Sequence, residues 1–295
     1  MEIIIGKDAG FCYGVQRAVD RAIEEIEKKE ICCLGEIVHN QNVIDSLRTK
    51  GIKFINNIEE ATSNTIIRAH GEPKSVYKKA KEMDIKLIDL TCPSVLKIQN
   101  LADEYSKKGY FIIIVGKANH PEVVGIKSRA ECNYRVIDNK NDISELLNII
   151  NNKNKVLLIS QTTHSSKKFD EIAEELKNSI NSDVKLEIKK TICPSTEIRQ
   201  KETEEIAKKV DLMIIIGDKR SSNTNKLYDI ACNFCNNVVF VSNETEINLD
   251  RFNGIKRVGI MAGASTPKED ILKIKELLLK NNSQQYSWIL IWRIM

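Results

Sequence analysis

The feature that most restricts how this chain can fold is an arrangement of cysteine, helix and strand that occurs three times. In each copy a cysteine directly precedes a predicted amphipathic helix, and an apolar strand ending in glycine follows that helix. The cysteines are Cys12, Cys92 and Cys193. The strands end 23, 24 and 24 residues further on, at Gly35, Gly116 and Gly217. Because the order is constant and the spacing nearly so, the chain is predicted to contain three copies of one structural unit.

Polar residues follow the strands of every copy. Four residues beyond the three glycines stand His39, His120 and Ser221. A second strand in each copy leads into another polar loop, and these loops carry His70, Thr162, Thr163 and Ser265. Ligands of α/β folds bind beyond the carboxyl ends of parallel strands. The loops are therefore predicted to line one composite site.

The alternation of short apolar runs with amphipathic helices indicates an α/β protein with mostly parallel strands. F-I-I-I-V-G and L-M-I-I-I-G are two such runs, each short enough for a buried strand. We predict three similar α/β domains around a pseudo-threefold axis, which enclose one central site. The predicted domains are residues 1–91, 92–192 and 193–280, followed by an atypical tail, residues 281–295.

Composition excludes several classes of protein. With 42% hydrophobic residues among 295, the chain has ample material for a core. Its 45 basic and 41 acidic residues leave a net charge of +4, too small an excess to argue for nucleic acid as a partner. No signal peptide opens the sequence, and no apolar run approaches the roughly 20 residues needed to cross a bilayer. We therefore expect a cytoplasmic chain without a membrane span.

Eight cysteines in such a chain point to metal, redox or core roles rather than to disulfides. The run C-N-F-C, with Cys232 and Cys235, resembles half of a zinc site but has no second half, so a helix in the core is the preferred interpretation. Cys32 and Cys33 are predicted to lie in a core strand.

The three cysteines of the repeat can hold a metal centre. A structural zinc ion normally takes four ligands, whereas an iron–sulfur cube held by three cysteines keeps one iron open to a further ligand. Each cysteine precedes a helix, and helix N-termini would help to stabilise an anionic cluster. The pattern therefore favours an iron–sulfur centre.

Imidazoles, hydroxyls and an amide surround the same predicted site, and this set suits a phosphate or diphosphate. Its members are His39, His70, His120, Ser221, Ser222, Asn223 and Ser265. Glu122 lies in H-P-E-V-V-G; if buried, its carboxyl would have a raised pKa and could deliver protons, while the alternative is an exposed glutamate in the first turn of a helix. Thr162 and Thr163 either position Glu122 or hold a substrate hydroxyl. His164 has no counterpart in the other copies and is interpreted as structural.

From Ile3 to Leu279 the chain resembles the IspH/LytB family of 4-hydroxy-3-methylbut-2-enyl diphosphate reductases. The matching motifs, in chain order, are A-G-F-C-Y-G-V, G-E-I-V-H-N, R-A-H-G, T-C-P-S-V, H-P-E-V-V-G, S-Q-T-T, T-I-C-P-S-T-E-I-R-Q, S-S-N-T-N-K-L and A-G-A-S-T-P. Any one of them can occur by chance, but the set in this order is highly specific.

The resemblance implies reductive dehydroxylation of (E)-4-hydroxy-3-methylbut-2-enyl diphosphate to isopentenyl and dimethylallyl diphosphate, the last step of the methylerythritol phosphate pathway. It implies one 4Fe–4S cluster, bound by Cys12, Cys92 and Cys193. The diphosphate would be held by the histidines, serines and asparagine named above. Glu122 corresponds to the family's proton donor, and Thr162 to its partner in that relay and to a substrate contact. Two electrons would come from a ferredoxin or a flavodoxin.

Three other interpretations stay open at this level. One is an iron–sulfur enzyme of the diphthamide-synthesis type, which also gathers one cysteine per domain but cleaves S-adenosylmethionine. A second is a zinc- or cluster-binding redox-sensing protein without turnover. A phosphatase is the weakest, because it leaves the three cysteines unexplained. The tail beyond Lys280 holds both tryptophans and departs from the usual family ending. Its open interpretations are an added strand, an interface, a membrane-surface anchor or an altered reading frame.

Overall fold

The fold is taken from a computed structural model of the chain. The structure describes residues 1–27, 30–62 and 64–294, with side chains up to residue 281 within these ranges. Its strands are β1 (Glu2–Ile5), β2 (Ile31–Leu34), β3 (Ile52–Ile55), β4 (Asn64–Ile67), β5 (Leu87–Asp89), β6 (Phe111–Val115), β7 (Tyr134–Ile137), β8 (Lys155–Ser160), β9 (Lys185–Ile188), β10 (Leu212–Ile216), β11 (Val238–Val241) and β12 (Arg257–Ala262). Its helices are α1 (Tyr13–Ile26), α2 (Gln41–Thr49), α3 (Lys74–Glu82), α4 (Pro93–Lys107), α5 (Pro121–Lys127), α6 (Ile143–Ile150), α7 (Ser166–Ser179), α8 (Pro194–Ala207), α9 (Ser222–Phe234) and α10 (Lys268–Ile294).

These strands form three parallel sheets of four strands each, with the orders β3-β2-β4-β5, β7-β6-β8-β9 and β11-β10-β12-β1. All residues of the inner strands β2, β6 and β10 are buried. Strands covered on both faces are expected to be continuously apolar, which explains the short apolar runs of the sequence. The predicted α/β class and the threefold repetition of one sheet are confirmed.

The carboxyl ends of neighbouring strands lie level with one another in each sheet. The last residue of the inner strand pairs with the last residues of both neighbours, in the sets Leu34 with Ile55 and Ile67, Val115 with Ile137 and Ser160, and Ile216 with Val241 and Ala262. The loops that follow therefore leave each sheet at one edge, where α/β folds place their ligands.

The chain divides into two compact units. We call Tyr13–Val38 with Asn42–Glu197 the central unit, and Met1–Cys12 with His39–Gln41 and Ile198–Met295 the terminal unit. The central unit contains the sheets built on β2 and β6, and the terminal unit contains the sheet built on β10. The domain boundaries at residues 91 and 192 stay a prediction.

One strand lies in a different sheet from the one predicted. β1 belongs to residues 1–91, but it pairs in parallel with β12, in the sheet of the terminal unit. Its side chains explain the pairing, because Ile3 and Ile5 pack against the apolar cluster that includes Ile260 and Leu278. A short apolar strand carries no sequence signal for which sheet it joins.

The helices that follow the three cysteines begin where the sequence predicts. α1, α4 and α8 start at the residue directly after Cys12, Cys92 and Cys193. Two of them start with proline, whose missing N–H would have no partner in the first turn of a helix. The relation between cysteine and helix start is confirmed in all three copies.

The predicted tail, residues 281–295, falls mostly outside the described side chains. The backbone of α10 continues to Ile294, while Met295 and the side chains beyond residue 281 lie outside the described residues. Within the residues that the structure describes, no helix combines the length and apolarity needed to cross a membrane.

Candidate active site

The three cysteines of the repeat occupy equivalent backbone positions. Each cysteine N–H donates a hydrogen bond to the carbonyl of the second residue beyond a neighbouring strand. These pairs are Cys92 with Ala69 beyond β4 (2.9 Å), Cys193 with Thr162 beyond β8 (3.0 Å) and, in the terminal unit, Cys12 with Ala264 beyond β12 (3.2 Å). All three side chains are half-buried, and none forms a disulfide in the described part of the chain. The sequence repeat is thus a repeat of hydrogen bonding as well as of strand and helix.

Small and polar residues surround the two cysteines of the central unit. Gly14, in α1, packs so closely on Cys92 that a Cβ added there would lie 2.7 Å from the Cys92 Sγ. The Ser94 hydroxyl donates to the Sγ of Cys193 at 3.7 Å. Hydrogen bonds to sulfur and space beside a thiol are both features of cysteines that bind a cluster. This surrounding fits thiolate ligands better than inert core cysteines.

The cysteines predicted to lie in the core differ from the three cysteines of the repeat. Cys32 and Cys33 are fully buried in β2, and burial raises the pKa of the Cys33 thiol to about 12. Cys235 is buried in an apolar cluster with Leu227 and Ala231, while Cys232 is exposed. A thiol that stays protonated is a poor ligand and nucleophile. The burial of Cys32, Cys33 and Cys235 agrees with their predicted core role.

Glu122 is buried in the central unit and paired with Thr162. Its side chain lies in the first turn of α5 and is 1% exposed. One carboxylate oxygen accepts from the Thr162 N–H at 2.6 Å and the other from the Thr162 hydroxyl at 2.7 Å. The alternative of an exposed first-turn glutamate is therefore wrong.

Burial sets the protonation of this carboxyl. Loss of solvation raises the pKa of Glu122 from 4.5 to about 7, and the two hydrogen bonds from Thr162 oppose that rise. A carboxyl that titrates near neutrality exchanges protons readily in both directions. Glu122 is thus suited to general acid catalysis at neutral pH.

Two histidines lie at the start of the helix that carries Glu122. The Nδ1 of His120 accepts from the N–H of Glu122 at 3.2 Å, so that His120 is the N-terminal cap of α5. The ring of His70 meets the ring of His120 edge to face, with centroids 5.5 Å apart. Thr163 follows Thr162 and accepts from the Gln161 amide at 2.7 Å. His70, His120, Glu122 and Thr162 therefore form one cluster in the central unit.

His164 lies apart from the reactive groups of that cluster. It is buried, and its Nε2 lies 2.9 Å from the Oδ1 of Asp138. A buried histidine fixed by a carboxylate is a common structural element. The pairing supports the structural interpretation of this residue.

The terminal unit contributes a second group of polar residues around the start of α9. Ser221 caps the helix by accepting from the Thr224 N–H at 3.3 Å, and Ser222 is its first residue. Asn223 is 4% exposed, and neither atom of its side-chain amide has a hydrogen-bond partner among the described residues. The Ser265 hydroxyl donates to the His39 carbonyl at 3.0 Å. All predicted polar residues of this unit thus lie at the carboxyl edge of its sheet or beside it.

Two residues that hold the backbone segment before Cys12 have no role in the sequence prediction. Arg199, buried on α8, donates to the Gly10 carbonyl at 2.9 Å. Glu202, one turn later, accepts from the Lys7 N–H at 2.6 Å and the Asp8 N–H at 3.1 Å. Arg199 lies in the matching motif T-I-C-P-S-T-E-I-R-Q, and Glu202 follows it three residues later on the same helix, but neither signal names a partner.

Comparison with known proteins gives one consistent family. The sequence profile described as "LytB protein" matches residues 3–279. The 4-hydroxy-3-methylbut-2-enyl diphosphate reductase of Alkaliphilus oremlandii (strain OhILAs) is 38% identical over 273 residues, which cover 91% of this chain and 95% of the relative. The reductase of the same name from Campylobacter hominis is 43% identical over 277 residues, which cover 93% and 97%.

Comparison with solved structures gives the same family. A structure of (E)-4-hydroxy-3-methyl-but-2-enyl diphosphate reductase, described as the terminal enzyme of the non-mevalonate pathway, has a TM-score of 0.69 at 34% identity and covers 95% of this chain and 100% of its own. The E-1-hydroxy-2-methyl-but-2-enyl-4-diphosphate reductase from Plasmodium falciparum has a TM-score of 0.87 at 29% identity and covers 94% and 87%. Matches of this length leave no room for a different fold, and the family predicted from the motifs is confirmed. The chain belongs to the LytB protein family.

Proposed function

We propose that this chain is a 4-hydroxy-3-methylbut-2-enyl diphosphate reductase. The substrate takes up two electrons and two protons; its allylic C–O bond breaks, the oxygen leaves as water, and a new C–H bond gives isopentenyl or dimethylallyl diphosphate. The full-length relatives that carry this name support the proposal. The observation that carries it is the buried Glu122 carboxyl on Thr162, because the reaction needs a proton source shielded from water.

The cofactor of the proposed reaction is one 4Fe–4S cluster, with Cys12, Cys92 and Cys193 as its ligands. Three thiols at equivalent helix starts, with Gly14 clearing space beside one and Ser94 donating to another, suit three-cysteine binding. When bound, such a cluster supplies single electrons, and its fourth iron acts as a Lewis acid. A structural zinc ion normally takes four protein ligands, whereas the repeat provides one cysteine in each of its three copies.

Glu122 is the proposed general acid. Its proton goes to the departing hydroxyl, so that the oxygen leaves as water rather than as hydroxide, a much poorer leaving group. The Thr162 hydroxyl holds the carboxyl in place and is the proposed contact for the substrate hydroxyl. After the transfer the Glu122 carboxylate is stabilised by both hydrogen bonds from Thr162.

The diphosphate is the proposed ligand of the polar loops. The residues assigned to it are His39, His70, His120, Ser221, Ser222, Asn223 and Ser265. Asn223 supports this assignment most directly, because a buried amide without partners is satisfied by a ligand that brings hydrogen-bond acceptors. The N-terminus of α9, beside it, favours an anion.

The proposed electron donor is a ferredoxin or a flavodoxin. Both are small acidic carriers, and the net charge of +4 with a pI of about 8.5 is compatible with such a partner. A redox sensor without turnover would need neither a buried proton donor nor a buried unpaired amide.

The test is anaerobic purification followed by absorption and EPR spectra with and without the hydroxylated allylic diphosphate. We expect an iron–sulfur signal that shifts with substrate, and turnover that Glu122→Gln lowers by about 10²–10⁴-fold without loss of iron. Glu145→Gln is the matched control, because Glu145 is an exposed glutamate in the first turn of α6. A colourless protein that keeps zinc after cluster reconstitution would overturn the proposal.

A further inference from the structure

The side chain of Gln99 on α4 has a role that neither the reaction nor the motifs assign. It is 1% exposed, and its carbonyl oxygen accepts from the Arg129 guanidinium at 3.0 Å. That bond fixes which way the amide faces, since a reversed amide would point its N–H groups at a cation. The Nε2 consequently faces the other way, and it has no hydrogen-bond partner among the described residues.

On that other side the amide touches two glycine backbones. A Cβ added at Gly71 or at Gly125 would lie 2.6 Å from the Gln99 Nε2 in either case, closer than real side chains approach. Gly71 directly follows His70, and its φ of +71° is one that glycine adopts without strain. Gly125 lies in α5, three residues beyond Glu122. Gln99 is therefore wedged between the His70 loop and the helix that carries His120 and Glu122.

A second connection joins the same two segments. The Lys74 N–H donates to the Ser128 hydroxyl at 3.1 Å, and that hydroxyl donates to the Gly125 carbonyl at 2.7 Å. The backbone around Gly125 is thus held from both sides, by Ser128 and by the Gln99 amide. An ordinary packing contact would be met as well by an apolar side chain, without the cost of a buried donor that lacks a partner.

We propose that Gln99 is a positioning residue, which sets the separation between the His70 loop and the N-terminal turn of α5. It acts through His70, His120 and Glu122 and does not itself touch the reacting atoms. The inference rests on the proposed function, because those three residues carry the proposed substrate and proton contacts. Their rings and carboxyl depend on two separate backbone segments, and Gln99 is a buried side chain that contacts both.

The wedge can be tested by a double-mutant cycle. Gly125 is helical, so Gly125→Ala introduces no backbone strain but forces the new Cβ against the Gln99 amide. We expect Gly125→Ala alone to lower kcat about tenfold or more, since displacements of about 1 Å have such effects. In the Gln99→Ala background, which removes the obstruction, the same change is expected to alter kcat less than threefold. Equal effects in the two backgrounds would show that Gln99 does not obstruct the new Cβ and would overturn the proposal.

Positioning is separated from plain packing by the pH profile. Gln99→Met keeps the volume of the side chain but loses the bond to Arg129. We expect kcat to fall about tenfold. We also expect the basic limb of the pH–rate profile to shift, because a displaced α5 changes the burial of Glu122. Lys97→Ala, exposed on the same helix, is the control and should change neither quantity. A lower melting temperature with unchanged kcat and pH profile would show packing alone. If the wild type itself fails to reduce the substrate, the proposed function fails, whereas the coupling of Gly125 and Gln99 can still be read from thermal unfolding.

Discussion

Two buried polar side chains, one in each compact unit, differ in how they are satisfied. Glu122 of the central unit is 1% exposed, and Thr162 donates a hydrogen bond to each of its carboxylate oxygens. Asn223 of the terminal unit is 4% exposed, and neither its donor nor its acceptor is paired among the described residues. Both follow the carboxyl ends of parallel strands, where the repeat places them at related positions.

This difference in hydrogen bonding assigns Glu122 to the chemical step and Asn223 to substrate binding. A carboxyl that accepts a hydrogen bond on each oxygen is held in one geometry before substrate binds, as preorganised catalysis requires. A buried amide without partners costs about 1–3 kcal/mol, and it persists where a ligand completes its hydrogen bonds. We therefore expect changes at Glu122 to act on kcat and changes at Asn223 to act on KM.

The largest effect is expected from removing the proton donor. Glu122→Gln keeps the size of the side chain but cannot donate a proton from a carboxyl, so kcat should fall by about 10²–10⁴-fold. In the wild type the acid must be protonated, and its pKa of about 7 predicts that kcat declines as pH rises above that value. Steady-state kinetics from pH 6 to 9 measure both effects. A variant that keeps a tenth of the wild-type kcat and the same pH profile would remove Glu122 from the reaction.

The same carboxyl makes stability depend on pH. Its pKa is raised from 4.5 to about 7 in the folded chain, so its favourable contribution is complete below pH 4.5 and is lost as pH rises to about 7. Glu122→Gln has no such ionisation. The free energy of unfolding of the variant should therefore gain about 3 kcal/mol on the wild type between pH 4 and pH 8. Urea titrations at the two pH values measure it, and a difference independent of pH contradicts the raised pKa.

Substitution of Asn223 tests whether the amide without partners serves substrate binding. Asn223→Leu removes a buried amide that has no partner, so stability should stay level or rise. Because the proposed diphosphate loses its contact, KM should rise about 10- to 100-fold with little change in kcat. Thermal unfolding and substrate kinetics measure the two effects.

Asn225, two residues along α9, is the matched control for Asn223. Its amide donates to the Lys219 and Ser221 carbonyls at 2.6 and 2.8 Å, so Asn225→Leu should destabilise the protein. Should Asn223→Leu destabilise it equally, the Asn223 amide has a structural partner and the contrast between the two asparagines is lost.

How far the sequence predicts this site depends on whether the deciding contact is local. The helix that starts after Cys92 and the end of β10 directly before Gly217 both depend on neighbours along the chain, and they follow from pattern and spacing. The repeat adds long-range information, because three copies of one order indicate three similar sheets.

Contacts between distant segments are what the pattern leaves undetermined. β1 joins β12 across more than 250 residues. Arg199 and Glu202 hold the loop before Cys12 through contacts that span 189 and 195 residues of sequence. The sequence also allowed Glu122 to be exposed or buried, since a first-turn glutamate suits a helix N-terminus in either case. Its burial is decided by packing, which a single sequence does not specify.

The smallest effect that still distinguishes the two regions is expected at Thr162. Thr162→Val keeps the N–H bond to Glu122 but removes the hydroxyl bond, and both bonds lower the pKa of that carboxyl. Losing one should raise the pKa further, so the basic limb of the pH profile moves upward, by up to about one pH unit. Thr162→Ser retains the hydroxyl and should leave the limb in place, which makes it the control. A limb that moves equally in both variants would show that the shift does not depend on the hydroxyl, and Glu122 would then be held by burial rather than by its pairing with the Thr162 hydroxyl.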